Sequence, residues 1–239
     1  MTKPTPEPRL TILALGPTLL ALDGRRLDGP WCKRRPGRLL KFLVARRGRP
    51  ASVDEIAEGL WPGASYGAAA NVRYHVHVLR RVLEPGREGG CERSLIRCRD
   101  GGYGLDTSRV ALDADEFERA LAVGETARAL ELYRGEFLAD EPYAGWAHPE
   151  RQRLHELACL ALRRTAEARL AAADVAGARA ALSRLAEMQP YDEDVHRELI
   201  AFELSRGRRS DALRRYTAFS HRLREAFGEE PAFGLAELR

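Results

Sequence analysis

Residues 68–83 constrain this chain more than any other stretch. Val72, Val76, Leu79 and Leu83 fall at i, i+4, i+7 and i+11, a narrow apolar stripe that an α-helix gathers on one side. Arg73, His77 and Arg80 repeat that spacing one residue later and form a second stripe about 100° round the helix, with Arg81 close beside it. Pro85 and Gly86 stop the helix. A helix fixed to a small core by one face, with long donors on the next, meets the requirement for entering the major groove of a duplex and reaching base edges. Taken alone, the same pattern also describes an amphipathic surface helix with a solvated basic edge.

The neighbouring segments narrow the choice. Residues 94–99 alternate inward and outward, Asp100, Gly101 and Gly102 turn the chain, and Tyr103, Gly104 and Leu105 return it. This predicts a hairpin with Arg97 and Arg99 on one side. Directly after a recognition-type helix such a hairpin is a wing, able to lay an arginine into the adjacent minor groove. Upstream, residues 10–15 and 18–22 are short apolar runs bounded by Gly16-Pro17 and Asp23-Gly24, the second pair a strong turn signal. Leu39, Leu40, Leu43 and Val44 predict a first helix whose start is basic, with Arg34 and Arg35. Ser52 and Glu55 are spaced as a capping box for a second helix that buries Ile56 and Leu60. The order is therefore sheet, three helices, wing.

In that order the residues from Val72 to Glu84 resemble the recognition helix of OmpR-type winged-helix domains, and those from Arg99 to Tyr103 resemble their wing. The resemblance implies that Arg73 contacts a base, that His75 and Arg80 contact the DNA backbone, and that Arg99 enters the minor groove with Tyr103 packed beside it. Two consecutive positions that are often basic in that family are His77 and Val78 here. Arg73 and His77 are thus expected to read bases. Arg80, Arg81, His75, Arg34 and Arg35 are expected to hold phosphates, with Arg97 and Arg99 on the wing.

The rest of the chain reads as helices from Leu112 onward. Ala178, Leu182 and Leu185 recur as Ala212, Tyr216 and Phe219, each pair 34 residues apart, the period of tetratricopeptide-like helix pairs. An alanine-rich bundle with a coincidental period is the competing reading. Tyr133 to Leu138, Trp146-Ala147, Glu150-Arg151 and Leu154 resemble the bacterial transcriptional activator domain. That domain follows an OmpR-type winged helix in the Streptomyces antibiotic regulatory protein family, and the resemblance runs from Leu10 to Leu238. It implies a regulator that binds direct repeats in promoter DNA as a homodimer and recruits RNA polymerase, with the loop from Trp61 to Gly67 and the helical repeats touching the polymerase.

Charge, split along the chain, agrees with this order. Residues 1–106 hold 19 Lys and Arg against 11 Asp and Glu, a net of +8; residues 107–239 hold 20 against 24, a net of −4. A basic half suggests a polyanionic partner, although arginine-rich surface charge alone gives the same numbers. Cys32, Cys91, Cys98 and Cys159 form no close pair, and no phosphate loop, HExxH or GxSxG is present, so no metal, cofactor or catalytic site is expected. Asp113, Asp115 and Glu116 are read as favouring a helix N-terminus. No apolar run of spanning length exists and the proline-bearing first nine residues lack a secretory core, which predicts a cytoplasmic protein.

The expected fold is mainly α with small β-sheets. A winged-helix DNA-binding domain is expected over residues 1–106 and a tetratricopeptide-like domain over 107–239. The expected function is transcription regulation through sequence-specific binding of double-stranded DNA. The rival expectation is a protein–protein scaffold with weak, non-specific affinity for DNA.

Overall fold

The computed structural model describes residues 9–63, 67–86, 94–99 and 101–238. The expected N-terminal lead-in, the middle of the loop from Trp61 to Gly67, the glycine-rich tip after Gly86, Cys91 and Asp100 lie outside the described residues. The chain divides into two compact units, residues 1–155 and 156–239.

The first unit opens with β1 (Leu10–Leu13) and β2 (Leu19–Leu22), antiparallel with Leu10 opposite Leu22. Asp23 and Gly24 both take positive φ, 48° and 78°, as a tight hairpin turn requires, and lead to β3 (Arg25–Arg26). After a 3-10 turn come α1 (Arg35–Ala45), β4 (Ala51–Ser52), α2 (Val53–Leu60) and α3 (Ala68–Leu83). The capping box at the start of α2 is formed: the Glu55 amide donates to Ser52 Oγ at 3.1 Å, and the Ser52 amide to Glu55 Oε2 at 2.8 Å. The wing is β5 (Ile96–Arg99) against β6 (Gly102–Leu105), with β4 on the far side of β6. Gly102 is required there, because a Cβ would come within 2.2 Å of the Ala51 carbonyl oxygen.

β7 (Val110–Leu112) then runs back beside β1, in parallel, and completes a four-stranded sheet of order β3-β2-β1-β7. It leads into α4 (Asp113–Ala122) and α5 (Thr126–Leu132). Asp113 does more than favour its helix start. Its carboxylate is 4% exposed and accepts the amides of Ala14 and Leu15 at 2.8 and 3.0 Å, closing the end of β1. Burial pushes the Asp113 carboxyl up, against the pull of those amides and of Arg134.

The turn after α1 is tied to later residues of the same unit. Arg47, at φ 50°, reaches Asp115, Glu118 and Glu150 together, and Arg153 bonds Glu118 and Glu150 at 2.6 and 2.8 Å. Lys41 meets Asp140 at 2.7 Å and Glu141 at 3.0 Å. The Phe42 ring meets Trp146 edge-on at 5.5 Å.

The division between units falls within α6 (His148–Ala171). The second unit continues with α7 (Val175–Met188), α8 (Glu193–Ser205) and α9 (Arg209–Phe227). The 34-residue recurrence is realised on α7 and α9. Ala178, Leu182, Leu185, Ala212 and Phe219 are buried, and Tyr216 packs on the cluster around Phe219. Asp174 and Asp192 cap α7 and α8 through the amides of Gly177 and Val195. Among the described residues no helix is long and apolar enough to cross a membrane.

Candidate nucleic-acid interface

The apolar stripe on α3 anchors it. Val72, Val76, Leu79 and Leu83 are at most 1% exposed. The side opposite is set by geometry: Ala70, Tyr74, His77 and Arg81 lie about 180° from that stripe, and of these Tyr74 is 62% exposed while His77 and Arg81 are exposed as well. Arg73 is exposed on the side nearer the wing. Among the described residues, Arg73, His77 and Arg81 have no ion pair.

The stripe of Arg73, His77 and Arg80 expected from spacing is therefore split. Arg80 turns to the wing, donates from Nη2 to the Ile96 carbonyl at 2.7 Å, and holds its guanidinium 5.9 Å from the centre of the Tyr103 ring. Tyr103 sits in β6 between Ala51 and Cys98. Arg80 and Tyr103 together brace the wing against α3. On the wing, Arg99 is exposed, whereas Arg97 is paired with Asp106. Burial raises the Asp106 carboxyl, but the Ser108 hydroxyl and amide and the Arg97 charge outweigh it and hold it below the usual carboxylate range.

His75, expected at a phosphate, is buried instead. Its ring is 8% exposed, 5.5 Å from Trp61 and 5.2 Å from Tyr74. Burial, and then the nearby Arg35 charge, lower its pKa, and its ring packs between Trp61 and Tyr74 rather than standing out with Arg73, His77 and Arg81. Arg34 and Arg35 are exposed at the start of α1, and Arg35 lies 5.9 Å from the Trp61 ring. The structure thus brings Arg34, Arg35, Arg73, His77 and Arg81 to the surface of α1 and α3, with Arg99 on the wing.

Tyr74 is the exposed residue that spacing alone overlooked. It falls two places after Val72, on the outward side of the wheel, and a search restricted to cations passes over it. Among the described residues no group of three His, Cys, Asp or Glu side chains is placed to hold a metal. Of the described cysteines, Cys98 is exposed, Cys32 half-buried and Cys159 buried.

Three helices, a braced wing and a basic outer helix face, followed by helix-pair repeats, define a winged-helix protein with a helical-repeat extension. Residues 31–105 match the family described as "Transcriptional regulatory protein, C terminal", and residues 104–239 match "Bacterial transcriptional activator domain". The chain belongs to the family of transcriptional regulators that join these two domains, the Streptomyces antibiotic regulatory protein family. It is 31% identical over 242 residues to the regulatory protein AfsR of Streptomyces coelicolor, covering 94% of this chain and 23% of that protein. It is 26% identical over 250 residues to the regulatory protein DnrI of Streptomyces peucetius, covering 96% and 90%. The solved structure of Mycobacterium tuberculosis EmbR, in complex with a low-affinity phosphopeptide, superposes with a TM-score of 0.68 at 27% identity, over 97% of this chain and 64% of that one. The chain thus spans about a quarter of AfsR and under two thirds of the EmbR chain.

Proposed function

We propose that this chain binds duplex DNA sequence-specifically and activates transcription. In this reading α3 enters the major groove, where Arg73 and His77 read bases. Arg81, Arg34 and Arg35 hold phosphates on either side. Arg99 at the wing reaches the neighbouring minor groove, while Arg80, Arg97 and Tyr103 shape and brace the wing. DNA binding is assigned to residues 1–106, and contacts with RNA polymerase to residues 107–239 with the loop from Trp61 to Gly67. The protein acts as a homodimer on direct repeats, in the cytoplasm, and carries no enzyme site.

The observation that carries this reading is the outer side of α3: three donors, Arg73, His77 and Arg81, that the fold leaves exposed and without an ion pair to any described residue. Arg38, Arg47, Arg97, Arg134, Arg151 and Arg153 of the same unit are by contrast engaged by carboxylates or carbonyls, which leaves the outer side of α3 free to meet an external anion.

The test is a salt titration of duplex binding by fluorescence anisotropy. Replacing Arg81 or Arg34 by Ala should lower affinity for all sequences alike and reduce the slope of log K against log salt by about one unit. Binding that is weak, non-specific and equally salt-sensitive in wild type and both variants would leave the scaffold reading standing instead.

A further inference from the structure

Beside the proposed DNA-reading side of α3 lies a groove that base recognition does not use. It runs between the start of α1 and the flank of α3 turned away from the wing, with a volume of about 760 Å³. Its floor is apolar, formed chiefly by Trp31, Tyr74 and Val78, and its rim carries Lys33, Arg34 and Arg35. No carboxylate lines it. The buried His75 ring also lines the groove and packs on Trp61, and Arg35 lies over that same indole.

We infer that this groove docks an acidic segment of a protein partner that carries at least one aromatic or large aliphatic side chain. Charge complementarity selects the acid: Lys33 and Arg34 are exposed and have no ion pair among the described residues. The floor selects the apolar side chain, since a bulky ring or isobutyl group takes the exposed flank of Tyr74 and the half-buried Trp31 and Val78 out of water. Regularly spaced carboxylates around one such anchor match cations around one apolar floor. A sugar-phosphate strand satisfies the rim but offers nothing of that size to the floor. The rim arginines are shared with the phosphate contacts proposed above, and the floor residues Trp31 and Val78 are not. The floor therefore separates the two readings.

The experiment pans a displayed library of random peptides, about a dozen residues long, on the full chain, then measures a synthetic consensus peptide by fluorescence polarisation. The enriched peptides should combine Asp or Glu with an aromatic or large aliphatic residue. Trp31→Ser and Val78→Ser, each checked for wild-type circular dichroism, should weaken the consensus peptide roughly tenfold, the equivalent of about 1.4 kcal/mol. Affinity for a random duplex should not change in either variant, since neither substitution alters charge. The proposal is overturned if nothing is enriched, if enriched peptides lack carboxylates, or if both variants bind the peptide like wild type. It is equally overturned if duplex affinity falls as far as peptide affinity, which would make the groove a seat for the DNA backbone.

Discussion

Arg47 and Arg73 belong to the same compact unit and carry the same charge, yet the fold treats them in opposite ways. Arg47 keeps 16% of its side chain exposed and is gripped by Asp115, Glu118 and Glu150. Arg73 stands exposed on α3 and has no ion pair among the described residues. The difference teaches that in an arginine-rich chain the number of cations says little about function. What matters is which of them the fold has already neutralised. Arg47, Arg97 and Arg151 are structural staples, the last donating to the carbonyls of Phe137 and Glu141 at 3.0 and 2.9 Å. Arg73, Arg81 and Arg34 are exposed and have no ion pair among the described residues, as the proposed DNA contacts require.

The sharpest way to break that contrast is to remove one member of each class. Arg47→Ala leaves Asp115 without its cation and Glu118 and Glu150 with Arg153 alone, and should cost about 1–3 kcal/mol of stability in urea unfolding, below the buried-pair range because Arg153 remains and Asp115 and Glu118 keep some hydration. An unchanged unfolding midpoint would show that the cluster is a surface decoration.

The second unit extends the comparison to a group buried with little charge support. His196 is 7% exposed, stacks on Phe219 at 4.1 Å, and is held at a pKa of about 4 by burial and then by the Arg222 charge. A lowered histidine is neutral in the fold. Its contribution is present above the unfolded histidine value near 6.5 and is lost as pH falls from there toward 4. The expected loss is roughly 2–4 kcal/mol across that window, and His196→Phe should flatten the stability–pH curve there. A variant curve that still falls as steeply between those pH values as wild type would contradict the assignment.

Arg73→Ala should leave stability within about 0.5 kcal/mol of wild type and lower affinity for a specific site by roughly 1–3 kcal/mol. Arg80 should fall between the classes. Its bond to the Ile96 carbonyl is worth about 1 kcal/mol, so Arg80→Ala should destabilise slightly and loosen the wing. Loss of DNA affinity with no change in the melting temperature would return Arg80 to the phosphate-contact group.

Much of the fold was legible in the sequence because local rules decide it. The stripe from Val72 to Leu83, the capping box at Ser52 and Glu55, and the Asp23-Gly24 turn each depend on residues a few places apart. The 34-residue recurrence on α7 and α9 was legible because a repeat shows itself as matched residues at one fixed spacing, whatever the fold between them. The candidate site was less legible, because orientation and pairing depend on residues far away. Arg80 and Arg73 share a spacing stripe, but only the fold brings the Ile96 carbonyl within reach of one and not the other. Arg97 looked free until Asp106 was placed beside it. His75 was expected at the DNA backbone because the family resemblance puts a contact at that place, and only the packing of Trp61 and Tyr74 shows its ring turned inward. Asp113 looked like helix-dipole chemistry until β7 was seen to run beside β1 and bring the Ala14 and Leu15 amides to its carboxylate. Parallel pairing between strands a hundred residues apart leaves no local signal.

The most direct test of the central claim is selection of bound sequences from a pool of random duplexes, run side by side with wild type and Arg73→Ala. The account predicts a defined motif for wild type, repeated in direct orientation, and the same motif relaxed at one base pair for the variant. A pool that shows no enrichment, or motifs identical in both proteins, would contradict it.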